Sequence, residues 1–207
     1  MNTQPITLDV DGARRFHGHS CPGLAMGIRV AEAALRWAGA PAADEEVVCI
    51  AEADHCGVDG IQYLVGCTFG KGNLIHHDYG KSVFTFFRRS DGRGALRVAA
   101  RPEFWNRSDP QERAILDRQR EGEAPSEADR AYLDARRAAR IAAIMEAPLE
   151  ELFDLREIEA PAPDRARILG SVLCAECGEA VMASRVRYYR GVAHCIPCFE
   201  ALTRPTV

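Results

Sequence analysis

Two Cys-x-x-Cys turns near the end of the chain constrain its folding more than any other feature. Cys174 and Cys177 form the first and Cys195 and Cys198 the second, with a spacer of seventeen residues between them. Each turn places two thiolates within reach of one tetrahedral ion, and the spacer is long enough for a hairpin to carry the second turn back onto the first. Gly178 supplies the backbone freedom of a zinc knuckle, and Met182 to Tyr188 with Gly191 fit the strands and turn of the hairpin. Four buried free thiols would need two metal-spaced pairs by coincidence, and a redox dithiol would need a thioredoxin-type context that is absent. His194 adjoins Cys195 and could substitute as a ligand, though four cysteines already satisfy zinc. A site filled by four protein ligands holds structure and does no chemistry. Arg185, Arg187, Tyr188, Tyr189 and Arg190 cluster on the hairpin and read as its solvent face.

The other four cysteines lie between Cys21 and Cys67, so the chain has two separate sites rather than one. It opens without a basic or an apolar leader region, which predicts a cytoplasmic protein whose thiols stay reduced. No apolar run is long enough to cross a bilayer. With 26 basic against 30 acidic residues and a net charge of −4, the chain lacks the footprint of a nucleic-acid binder, and no membrane or nucleic-acid partner is expected.

Apolar periodicity predicts a helix over roughly 22–38, with Pro22 in its first turn and Gly39 as its stop, and another from about Val58 to Val65. Val47–Ala51, Ser82–Phe87 and Ala95–Ala99 read as strands, the last two joined by the turn signal at 90–94. Helix and strand interleave without a regular βαβ period, which gives an α+β class, with helices on a mixed sheet. From Ser108 to Glu159 the composition turns to Arg, Glu, Asp and Ala, and Ser126 to Asp129 signals the start of a helix over about 127–146. The expected organisation is a core at 1–107, a helical connector at 108–166 and a small zinc ribbon at 167–207.

The core's chemistry concentrates at Phe16-His17-Gly18-His19-Ser20-Cys21-Pro22-Gly23. In an extended segment residues two apart point the same way, so His17, His19 and Cys21 could converge on one ion, and Cys21 next to a helix N-terminus favours thiolate. Cys56 lies at the start of the second helix. Cys67 stands in Gly66-Cys67-Thr68-Phe69-Gly70-Lys71-Gly72-Asn73, where three glycines in seven residues demand a loop whose amides could cradle an anion. This loop is not a Walker A motif, because Gly72 follows Lys71 where Ser or Thr is required. Lys71 reads either as an anion-binding group or as a surface lysine, and spacing does not separate the two. Cys49, inside an apolar strand, reads as packing.

These motifs, with Cys56-Gly57-Val58-Asp59-Gly60-Ile61-Gln62 and Asp78-Tyr79-Gly80-Lys81, resemble the FmdE family, named for a component of formylmethanofuran dehydrogenase, through residues of about 10 to 100. The tail resembles zinc fingers of the DksA/TraR type. The resemblance implies an α+β core related to the catalytic domain of glyceraldehyde-3-phosphate dehydrogenase, a homodimer, and a core metal site with candidate positions His17, His19, Cys21, Cys56, Asp59, Cys67 and Lys71. Gly57 and Gly60 stand where small or alanine-like residues are expected.

Two functions follow as expectations. In the first, zinc or another transition ion held by His17, His19, Cys21 and Cys67 serves a metal-dependent enzyme or enzyme-associated component. Cys56 or Asp59 then handles protons, and Lys71 orients a small anionic ligand. In the second, the same thiols serve a metallochaperone or maturation accessory that docks on a metalloenzyme partner through the finger.

Overall fold

The computed structural model describes residues 6–90, 92, 94–105 and 109–204. Two compact units divide the chain, Met1–Arg165 and Ala166–Val207. Asp91 and Arg93 of the expected turn, and the expected core boundary at 107–108, lie outside the described residues.

The first unit is α+β. Helices α1 (Val10–His17) and α2 (Pro22–Ala38) precede strand β1 (Val47–Ala51), helix α3 (Gly57–Val65), β2 (Leu74–His76), β3 (Val83–Arg88) and β4 (Ala95–Ala100). Short α4 (Pro102–Trp105), α5 (Pro110–Arg120), α6 (Glu127–Glu146) and α7 (Leu149–Leu152) lead into β5 (Phe153–Ile158). The sheet runs β2-β1-β3-β4-β5, with β1 and β2 parallel and every other pair antiparallel. Leu24, Ile28, Ala31 and Leu35 recur along α2 and are all buried against Cys49, Phe84, Phe86 and Leu96 of the sheet, the amphipathic face that the spacing predicts.

The charged segment read from sequence as a helical connector is part of this first unit. Ile144 is fully buried in the same core, and Arg29 of α2 donates to the carbonyls of Met145 and Ala147, capping the end of α6. The segment then ends in a strand: β5 pairs with β4 in register from Ala95 with Ile158 to Ala100 with Phe153. Its alternation is hidden in sequence because Asp154, Arg156 and Glu157 occupy the edge of the sheet, where charge is tolerated. Ser126 caps α6 through a reciprocal box with Asp129.

In the second unit, β6 (Ser171–Leu173) pairs with β7 (Ala180–Met182), and β8 (Arg187–Tyr189) pairs with β9 (Val192–His194) before α8 (Ile196–Thr203). The spacer is therefore not one hairpin from Met182 onward: Ala183–Arg185 is a single helical turn, and only 187–194 forms the second ribbon. Arg190 and Gly191 make its turn, both at positive φ. Among the described residues no helix is long and apolar enough to cross a membrane.

Candidate metal centre

His17, His19 and Cys21 converge at the elbow between α1 and α2. The segment is not extended. His17 is the last residue of α1, Gly18 caps it at φ 87°, and Cys21 is the N-cap of α2, its Sγ accepting the Leu24 N–H at 3.3 Å. The left-handed glycine reverses the chain so that the rings of His17 and His19 lie 4.4 Å apart. Ligand atoms of the three residues fall within 4.8 Å of one another, and Cys21 Sγ is 3.6 Å from His17 Nε2. Adjacent ligands on a tetrahedral ion with N/S donors are separated by about 3.4–3.7 Å, so two imidazoles and a thiolate at this spacing fit a zinc-like ion.

The other ring nitrogen of His17 faces Asp59 of α3, with Nδ1 2.6 Å from Oδ2. This carboxylate fixes the imidazole so that Nε2 is turned toward Cys21, the second-layer support that metal-binding histidines ordinarily have. Gln62 Nε2 donates to the remaining Asp59 oxygen. Helix α1 is itself anchored: Asp9 accepts from Gly12 N–H at its start, and Tyr63 of α3 donates to the same carboxyl group.

A cavity of about 490 Å³ adjoins the elbow, lined by His17, Cys56 and Asp59 together with His55, His76 and the apolar Phe69 and Leu74. Cys56 and His55 also line a second cavity of about 380 Å³, with Gly23 and Ser82. Sequence reasoning missed His55 and His76. The Nδ1 of His55 accepts the Gly57 N–H, which leaves its Nε2–H to donate to Ser82 Oγ at 3.1 Å. Burial holds the His55 imidazole below its usual pKa range.

Two expected site residues are not brought to this cluster. Cys67 is fully buried, donates to the Val47 carbonyl, and has its thiol pushed up to about 12 by burial, so it belongs to the core and not to the ligand set. Lys71 turns its Nζ onto the carbonyls of Ala42 and Asp44, a cap on a loop rather than an anion site. The glycine-rich loop wraps around a residue the sequence did not single out. Asn73 is fully buried, donates to the Val47 and Gly66 carbonyls, and accepts the Thr68 N–H. Lys71 N–H goes to Thr68 Oγ1 and Gly72 N–H to the Phe69 carbonyl, so these amides are spent inside the loop.

In the second unit, Cys174, Cys177, Cys195 and Cys198 converge as the spacing predicts. Backbone N–H groups of Cys177 and Cys195 lower the Cys174 thiol to about 6, which favours the thiolate that zinc takes.

The family described as FmdE, molybdenum formylmethanofuran dehydrogenase operon, matches residues 16–154, from the residue before His17 to the start of β5. The chain belongs to this family. Residues 167–204 match the prokaryotic dksA/traR C4-type zinc finger, so the four-cysteine cluster is a C4 zinc site. An Archaeoglobus fulgidus protein described as a "Probable S-adenosyl-L-methionine-binding protein" is 32% identical over 214 residues. The alignment covers 94% of this chain, which spans only 57% of that relative's length. The crystal structure of an FmdE-like protein of tungsten formylmethanofuran dehydrogenase from Syntrophus aciditrophicus superposes with a TM-score of 0.59 at 21% identity, over 95% of this chain and 92% of that one. This likeness establishes the FmdE fold.

Proposed function

We propose that the first unit is a metal-dependent catalytic unit in which His17, His19 and Cys21 hold a zinc-like ion and leave one coordination position for a small molecule in the adjoining cavity. The observation that carries this reading is the three-ligand elbow beside a cavity, with Asp59 seated on the far nitrogen of His17. Catalytic zinc sites use three protein ligands and an open position, whereas the four-cysteine cluster has none to offer. When bound, the ion would polarise a carbonyl or acidify a water. Asp59 orients His17, the apolar Phe69 and Leu74 restrict water, and Cys56 and His76 face the space a ligand would occupy. A cavity of about 490 Å³ lies within the range of small-molecule sites. The name of the Archaeoglobus fulgidus relative makes S-adenosyl-L-methionine the first ligand to titrate.

His19 is exposed, which favours a second reading as an accessory that passes its ion to a metalloenzyme. Metal analysis and a chelator chase decide between them. Wild type is expected to carry two metal ions per chain and a Cys21→Ser, His19→Ala variant one. A core ion that survives a chelator, and whose cobalt-substituted spectrum changes on ligand addition, supports the catalytic reading. Rapid release to the chelator supports the accessory. Wild type that holds only the finger's ion defeats both.

A further inference from the structure

Cys56 stands beside Cys21 yet outside the group formed by His17, His19 and Cys21. The two sulfurs flank one glycine. A β-carbon placed on Gly23 would lie 3.7 Å from Cys56 Sγ and 3.8 Å from Cys21 Sγ, and the two thiols hydrogen-bond to each other. Each cysteine is the N-cap of its helix, Cys21 of α2 and Cys56 of α3, so the close approach of the two helix ends holds the sulfurs together. Both are partly exposed, and Cys56 lines both cavities, which gives a small oxidant a path to the pair. The chain's other core cysteines, Cys49 and Cys67, are fully buried.

We propose that Cys21 and Cys56 form a dithiol that closes to a disulfide under peroxide, and that closure withdraws Cys21 from the metal-ligand set. The disulfide stands on the geometry of the two thiols; its effect on metal binding rests on the proposed core site. In the metal-free site, the Cys21 sulfur attacks one peroxide oxygen and the O–O bond breaks. The thiol proton leaves with the other oxygen as water, and Cys21 becomes a sulfenic acid. The Cys56 sulfur then attacks the Cys21 sulfur, and the sulfenic oxygen departs with the Cys56 proton as a second water. Two thiols have lost two electrons and two protons, and hydrogen peroxide has been reduced to two waters. A dithiol reductant reverses the step by exchange. A bound ion masks Cys21, so metal loading and oxidation exclude each other, and the site is protected only while it is filled.

The test uses the full chain as wild type, Cys56→Ser and Cys67→Ser. After mild chelation each protein is treated with hydrogen peroxide, alkylated, digested and mapped by mass spectrometry. Zinc is then returned and the bound metal counted, with a Cys21→Ser sample run in parallel to give the finger's share. The Cys21–Cys56 linked peptide is expected in wild type and Cys67→Ser and absent from Cys56→Ser. Core reloading is expected to be lost in the first two and to return with dithiothreitol, whereas Cys56→Ser shows no such reversible loss. Should Cys56→Ser fold poorly, Cys56→Ala replaces it. Absence of the linked peptide in wild type, or a link from Cys21 to Cys49 or Cys67 instead, overturns the proposal. If the disulfide forms but reduced wild type takes up no core metal, the dithiol stands and the metal-site reading falls.

Discussion

Asp59 does its work at one remove from any ligand atom. Its Oδ2 lies 2.6 Å from His17 Nδ1, and at 8% side-chain exposure the imidazole has little water to replace that partner. An ionised carboxylate there fixes the tautomer and raises the basicity of Nε2, and loss of such a partner ordinarily weakens metal affinity by about 10–100-fold. Asp59→Asn is expected to lower core zinc affinity by about that factor in competition with a chromophoric chelator, while the finger's zinc and the far-ultraviolet spectrum stay unchanged. Equal affinities in variant and wild type would show that the carboxylate does not support the histidine as a ligand. The residue pattern around the elbow made His17, His19 and Cys21 legible because all three sit within five positions. Asp59 was legible only as a motif member, since its partnership with His17 spans 42 residues. The misplaced residues share a cause: Cys67 and Lys71 carry chemistry by type, but the loop that holds them is organised around the buried Asn73, whose hydrogen bonds leave no trace in spacing.

The site depends on how closely two helices approach. Alanine-like residues would not serve at the crossing of α2 and α3. A β-carbon on Gly27 would run into the Gly57 carbonyl oxygen, and one on Gly60 would lie 2.8 Å from the Gly27 carbonyl carbon. Both obstacles are backbone, so no side chain can turn aside, and the helices must separate. Gly27→Ala is expected to destabilise the protein by about 1–3 kcal/mol, as overpacking ordinarily does, measured from the urea midpoint. Separation also moves Cys56 away from Cys21 and Asp59 away from His17, so metal affinity falls with stability. Gly70→Ala, where an added β-carbon meets nothing within 4 Å, is the control and should leave both unchanged. Predicted helices over 22–38 and 127–146 match α2 and α6 because caps and apolar period agree in both. Strand β5 went unseen because its charges report an edge position, which only the assembled sheet defines.

At the scale of the molecule the two units differ in what holds them together. The first has a continuous core of helices on a sheet. In the second, the only buried residues among those described are Cys174, His194 and Cys195, two of them metal ligands. Burial of so little apolar surface cannot offset the conformational entropy of ordering about forty residues, at roughly 1–2 kcal/mol each. Zinc must therefore supply most of the folding energy of that unit, as structural zinc does in other small fingers. Stripping the metal with a strong chelator at neutral pH is thus expected to unfold 166–207 while the first unit keeps its cooperative thermal transition. Limited proteolysis should then remove the tail and leave a fragment of about the first 165 residues, the division the folded chain itself makes. Cys177→Ser should show the same protease sensitivity without chelator, because one lost thiolate opens the closed tetrahedron. A tail that resists protease after complete zinc removal would mean that contacts other than the metal hold it, and the thermodynamic argument for the finger would fail.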